Sequence, residues 1–214
     1  MRLFVCLFWS CLAAAQSAAA RSCFVIVSSH IREHEDAIGA GVIVARRPYV
    51  LRVLTARHVA DRGAVTVWIE RRPFPAEIVR TFADRDVAVV DAIVPEDVRQ
   101  RAAAAKAGST VRPGDPISIW GENAGSADIK AGNVVAARWT PSGGPPTVPL
   151  LRIDCAACRR GDSGGGIFDA QGRLLGIIVA RYARADGTTL ATVGERIDET
   201  LYANPDDLAD ASRP

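Results

Sequence analysis

Short apolar runs separated by Gly, Pro, Asn and Asp recur along this chain, and few folds can accept such a pattern. They fall at residues 42–44, 50–54, 65–69, 78–82, 87–93, 117–120, 134–137, 150–153 and 174–180. Each is too short for a core-spanning helix and has the length and punctuation of a strand. A succession of this kind argues for an all-β sandwich or barrel. One segment breaks the pattern. Residues 96–107 read as a helix, with Pro95 at the first turn and Gly108 at the end, so that residues 95–108 form a linker helix between two sets of strands. With 214 residues, of which 49% are apolar, the chain can fill one substantial core or two small ones. Ser142-Gly143-Gly144-Pro145-Pro146 reads as a surface loop, residues 197–202 as a short helix, and residues 204–214 as a polar tail.

The first 20 residues have the layout of an export signal. Arg2 gives a basic start, residues 3–15 an apolar run, and Ala18-Ala19-Ala20 a small-residue cleavage site. An uncleaved membrane anchor is the competing reading, because residues 3–20 carry no charge. Their alanines make a weakly hydrophobic core, which favours cleavage after Ala20. The expected destination is the bacterial periplasm or the exterior, with no stable membrane insertion of the mature chain. Positive charge is scattered, and 26 Lys and Arg against 24 Asp and Glu leave a net charge of only +2. Nucleic acid is therefore not an expected partner.

Three short motifs carry chemistry. Gly161-Asp162-Ser163-Gly164-Gly165 places a hydroxyl nucleophile in a turn that glycines allow to bend sharply. The amides of Gly161 and Ser163, on either side of Asp162, can converge on one point and stabilise an oxyanion there. A serine hydroxyl is a weak nucleophile and needs a base. Thr55-Ala56-Arg57-His58-Val59 supplies an imidazole, and Asp86, directly before Val87-Ala88-Val89-Val90, supplies a carboxylate to orient it. Asp84 competes with Asp86 and would share its face on a strand. The buried-type run that starts right after Asp86 favours the latter.

The chain order His58, Asp86, Ser163 resembles that of the trypsin/chymotrypsin-like serine peptidases. The similarity runs from about Gly39 to Gly194 and is closest to the bacterial HtrA-type branch, without its PDZ domain. Gly39-Ala40-Gly41-Val42-Ile43-Val44 is similar to the strand that opens the first barrel. Arg112-Pro113-Gly114-Asp115-Pro116 and the following Ile117-Ser118-Ile119-Trp120-Gly121 are similar to the turn and strand that open the second. Gly172-Arg173-Leu174-Leu175-Gly176-Ile177-Ile178 is similar to the hairpin arm after the nucleophile.

The resemblance implies two perpendicular six-stranded Greek-key barrels with the active site in the cleft between them. The peptidase domain would span residues 21–203, with barrels at about 24–94 and 109–196. The implied activity is hydrolysis of protein or peptide substrates through an acyl-enzyme, with no cofactor and no metal. Ala157, six residues before the nucleophile, would lie at the base of the primary specificity pocket, beside Cys158 and near Val179, Ala180 and Arg181. A pocket without a carboxylate implies cleavage after small or medium apolar residues, unless Arg160 or Arg181 reaches in and selects an acidic one. Asp162 stands where HtrA-type enzymes usually carry asparagine and trypsin-type ones aspartate. No Ile-Val-Gly-Gly activation sequence is present, so activity without zymogen cleavage is expected. A buried Asp162 still needs a partner, and Arg159 and Arg160 are the candidates.

Signal cleavage would leave Cys23, Cys155 and Cys158, an odd number that permits at most one internal disulfide. Cys155-Ala156-Ala157-Cys158 accommodates either a local disulfide, in an oxidising compartment, or two buried thiols. With no second Cys or His pair nearby, zinc is not expected at this motif. Two rival functions remain. His30-Ile31-Arg32-Glu33-His34 matches the inverted zinc-peptidase pattern, in which His30, Glu33 and His34 would act from a helix. Alternatively, the chain could be a non-catalytic binding module that keeps the chymotrypsin fold.

Overall fold

A computed structural model of the chain describes residues 22–32, 35–108, 110–123, 126–140, 150–183, 189–197 and 201–202. The expected export signal, the loop at 142–146, residues 198–200 of the expected helix at 197–202 and the polar tail lie outside the described residues. Strands β1 (Phe24–Arg32), β2 (Glu35–Arg47), β3 (Val50–Thr55), β4 (Ala64–Ile69), β5 (Arg72–Thr81) and β6 (Ala88–Ile93) close into a barrel in the order β1-β2-β3-β6-β5-β4. Strands β7 (Pro116–Asn123), β8 (Ser126–Trp139), β9 (Leu150–Asp154), β10 (Gly166–Phe168), β11 (Leu174–Ala183) and β12 (Thr189–Arg196) close a second barrel in the order β7-β8-β9-β12-β11-β10. The two orders are the same Greek key, in which the sixth strand returns to lie beside the third. The all-β, double-barrel architecture implied by the sequence is therefore present.

Two details differ from expectation. The first barrel opens with β1, ahead of the Gly39-to-Val44 segment, which forms part of β2. The similarity used to place that segment began at Gly39 and carried no information about the residues before it. The linker helix is also shorter than its alanine-rich sequence suggests. It covers only Glu96–Arg101 and ends at Ala102, which is extended at φ −73° and ψ 139°. Beyond it the backbone bonds to both barrels. Ala103 N–H donates to the Ser22 carbonyl (2.9 Å) and Ala105 N–H to that of Ile43 (2.8 Å). Leu174 N–H donates to the Lys106 carbonyl and Gly108 N–H to that of Leu174, both at 2.7 Å. Alanine's helix preference is worth only tenths of a kcal/mol per residue, roughly. Satisfying these backbone groups outweighs it.

One apolar cluster fills the first barrel with Val25, Val27, Leu51, Val53, Val67 and Val90 and continues onto Trp120, Phe168, Leu174 and Ile177 of the second. The barrels thus pack through a continuous core. Ile119, Leu151, Ile153 and Ile167, each at most 1% exposed, belong to a separate cluster in the second barrel. Each such aliphatic side chain contributes about 1.5–3 kcal/mol by leaving water.

The core also holds a charge. Arg52, 3% exposed on β3, makes two parallel 2.8 Å hydrogen bonds to Asp91 on β6 and donates at 2.9 Å to the Tyr202 carbonyl. It ties the β3–β6 ladder to the last described residues of the chain. Asp91→Ala strands this guanidinium, so stability should fall by about 3 kcal/mol, the usual cost of unpairing a buried charge. Urea titration of the variant measures it, and a change below about 0.5 kcal/mol, the range of neutral surface substitutions, contradicts the assignment.

Candidate active site

The β3–β6 ladder brings two parts of the site together. Thr55, the last residue of β3, pairs with Ala88, the first of β6. The chain leaving β3 and the chain entering β6 therefore share one barrel rim. A single helical turn, α1 (Arg57–Ala60), follows β3 and carries His58. Asp86 sits in the bend before β6, just ahead of the buried Val87. The Ser29 hydroxyl pins the turn by donating to the Val59 carbonyl at 2.5 Å.

Asp86 grips His58 at two points. Its Oδ2 lies 2.6 Å from His58 Nδ1, and its Oδ1 accepts the His58 backbone N–H at 2.9 Å. Arg57 N–H donates to the Asp86 carbonyl (3.2 Å), and Arg57 Nη1 to the Phe82 carbonyl (2.8 Å), which fixes the bend. Partial burial pushes the Asp86 carboxyl up. The hydrogen bonds from the His58 ring and amide and the His58 and Arg57 charges overcome this, and hold it below the ordinary carboxylate range. An ionised Asp86 makes Nδ1 the donor, which leaves Nε2 of a neutral ring as an acceptor. The two side chains are 41% and 31% exposed, open to an incoming group. Asp84 Oδ2 lies 3.9 Å from Arg85 Nε.

Ser163 lies in the β9–β10 connection, which corresponds in the second barrel to the β3–β4 connection that carries His58. Its turn is sewn to both barrels. Gly164 N–H donates to the Ile178 carbonyl (2.7 Å) and Ile178 N–H to that of Gly165 (2.8 Å). Across the cleft, Ala40 N–H of β2 donates to the Ser163 carbonyl at 2.8 Å, and the Thr55 hydroxyl holds the Ala40 carbonyl at the same distance. Gly161 and Gly164 adopt φ of 97° and 84°, the left-handed region that other residues resist. A Cβ on Gly164 would also sit 2.0 Å from the Ala40 oxygen. The nucleophile turn thus abuts the Thr55-Ala56 stretch that leads to His58. No hydrogen bond joins Ser163 Oγ to His58 in this structure. The Gly161 and Ser163 amides donate to no other group among the described residues, as an anion-binding turn requires.

Asp162, fully buried, pairs with Lys130 of β8. This corrects the expectation of an arginine side chain. Arg159 contributes its backbone N–H, 2.5 Å from Asp162 Oδ2, while its guanidinium reaches Asp128 at 2.8 Å. Arg160 is exposed. Geometry decides the matter, because residues so close in sequence to Asp162 reach it by backbone, whereas β8 passes directly over it. The sequence does hold a clue: Lys106 and Lys130 are its only lysines among 26 basic residues.

Of the expected pocket residues, Ala157 lies exposed in a turn, Cys158 is buried, and Val179, Ala180 and Arg181 continue β11 beyond the point where it meets the nucleophile turn. Cys155 and Cys158 are joined in a disulfide with their Cα atoms 5.4 Å apart, and Cys23 is a buried thiol outside that disulfide, its pKa pushed up to about 12 by burial. His30 lies on strand β1 rather than on a helix, and Glu33 and His34 fall outside the described residues. A cavity of about 330 Å³ lined by Phe24, Trp68 and Val98 contains none of His58, Asp86 and Ser163. No described helix is long and apolar enough to cross a membrane.

Similarity to known proteins leads to the same class of molecule. The chain is 28% identical over 158 residues to a protein named probable periplasmic serine endoprotease DegP-like from Brucella suis biovar 1 (strain 1330), and to its namesake from Brucella abortus biovar 1 (strain 9-941). Each match covers 73% of this chain but only 30% of the relative. Among solved structures, the HtrA-type protease AlgW with a tripeptide superposes with a TM-score of 0.73 at 22% identity, covering 88% of this chain and 60% of that one. The active form of the Rv3671c protease from M. tuberculosis gives 0.71 at 22% identity, covering 96% and 87%. The family description "Trypsin-like peptidase domain" matches residues 39–177, and the chain accordingly belongs to the trypsin-like peptidase family.

Proposed function

We propose that the chain is an exported endopeptidase that cleaves peptide bonds with Ser163 as nucleophile, His58 as general base and Asp86 as the group that orients the base. The two-point grip of Asp86 on His58 is the observation that carries this reading. It fixes the ring so that Nε2 can accept the Ser163 proton as Oγ attacks the scissile carbonyl. The carbonyl oxygen becomes an oxyanion within reach of the Gly161 and Ser163 amides, while His58 returns the proton to the leaving amine. Water, activated by the same imidazole, then hydrolyses the acyl-enzyme. Export to the periplasm is supported by the signal-like residues 1–20 and by the naming of the Brucella relatives.

The neutral Ala157 and the β11 residues Val179 and Ala180 favour a small or medium apolar side chain before the scissile bond, with Arg181 at the pocket's margin. The Asp86–His58 hydrogen bonds and the Gly161 and Ser163 amides, which donate to no other described group, support a catalytic reading over a binding module. It is preferred over a zinc peptidase because His30 lies on a strand.

A fluorophosphonate should label the wild-type chain and leave Ser163→Ala unlabelled. Activity abolished by a chelator but indifferent to Ser163→Ala would reverse the assignment. Cleavage-site mapping on a peptide library should give small and medium apolar residues, and a predominance of Lys or Arg refutes the neutral pocket. Asp86→Asn should lower kcat by about 10⁴-fold, because the amide favours the wrong imidazole tautomer. The depressed Asp86 value also has a signature in stability. A carboxylate whose folded value lies below its unfolded one stabilises the fold above the unfolded value, and that contribution is lost as pH falls through the folded value. Urea titrations should therefore show the gap between wild type and Asp86→Asn narrowing below about pH 4.

A further inference from the structure

The Ser163 turn has two left-handed glycines and amides at Gly161 and Ser163 that no backbone bond fixes. Besides the bonds that Gly164, Gly165 and the Ser163 carbonyl make to the two barrels, it has a further restraint in a buried carboxylate. Asp162 Oδ1 meets Lys130 Nζ, its Oδ2 accepts Arg159 N–H at 2.5 Å, and its own carbonyl accepts Gly165 N–H at 2.8 Å. Side chain and backbone of this one residue thus tie the turn from residue 159 to residue 165, with Gly161 and Ser163 immediately on either side of it.

The Lys130 end is built as carefully. Lys130 and Asp162 are 4% and 0% exposed. Space for the pair comes from Gly121 on β7, where a Cβ would stand 1.9 Å from Asp162 Oδ1 and 3.1 Å from Lys130 Nζ. Asp128, two residues along β8, lies 3.4 Å from Lys130 Nζ and 2.8 Å from the Arg159 guanidinium. The four charged residues form a closed ring, Asp162–Lys130–Asp128–Arg159, which returns to Asp162 through the Arg159 amide. A buried carboxylate that lost its cation would turn toward water and carry the Gly161 and Ser163 amides with it.

Resting on the serine-peptidase reading, we infer that Lys130 is a positioning residue for catalysis: its ammonium anchors Asp162 and so holds the oxyanion-binding amides formed in the intact chain, without an ammonium freed by cleavage. An internal lysine supplies the cation at folding, whereas a chain terminus would supply it only after processing.

Kinetics of purified full-length variants on a peptide substrate test this. Lys130→Met keeps the side-chain length and removes the charge. It should lower kcat by about 10²–10³-fold, the cost of a lost oxyanion donor, with KM within about threefold of wild type and fluorophosphonate labelling slowed in parallel. Adding Asp162→Asn removes the orphaned charge while keeping an acceptor for Arg159 N–H, and should recover at least tenfold in kcat. A lysine that served stability alone would change the denaturation midpoint without this loss and recovery of kcat. Wild-type kcat in Lys130→Met, or a loss confined to KM, overturns the inference, as does a wild-type chain that, with residues 1–20 already removed, labels only after further N-terminal cleavage. If Lys130→Met does not fold, the double variant decides: recovered kcat supports the role, and background kcat in a folded double overturns it. If Ser163→Ala retains wild-type activity, the underlying peptidase reading fails instead, which is a separate result.

Discussion

Antiparallel pairing of β3 with β6 is the constraint from which the rest of this molecule follows. The two strands are distant in sequence, with β4 and β5 lying between them in the chain. Their register ends at Thr55 and Ala88, so everything leaving β3 and everything entering β6 shares one rim. His58 and Asp86 are neighbours for that reason alone, and α1 needs only a single turn to complete the approach. The same strand order in the second barrel puts Ser163 in the equivalent connection. The repeated topology thus sets the Ser163 turn against the first barrel, where Ala40, itself held by Thr55, fastens it.

Most of this could be read from the chain because the signals are local. A glycine-bracketed serine, a histidine after an apolar strand and an aspartate before one are each contained within five residues. What escaped was either non-local or a competition between backbone partners. Lys130 lies on a strand far from Asp162 in sequence, and pairing them needs the β7–β8 ladder and the void at Gly121. Arg159 and Arg160 were attractive through proximity, yet a residue three positions from an acid can reach it with its amide and spend its side chain elsewhere. The alanines beyond Arg101 favour a helix in isolation and are extended here because both barrels offer them hydrogen-bond partners. Tertiary demand overrode a weak local preference.

Two acid–base pairs flank the cleft and differ in kind. His58 and Asp86 are partly exposed, and their geometry keeps one ring nitrogen available. Lys130 and Asp162 are sealed, and nothing in their arrangement offers a proton to a substrate. Water can screen a change of charge at the first, whereas its exclusion from the second fixes charge in place.

The extended strap at residues 102–108 has a mechanical consequence. It is bonded to Ile43 on one barrel and Leu174 on the other, and the apolar cluster beneath it runs unbroken between them. Turning one barrel against the other would therefore break these backbone hydrogen bonds and part the shared apolar cluster, so the strap works as a clasp across the seam.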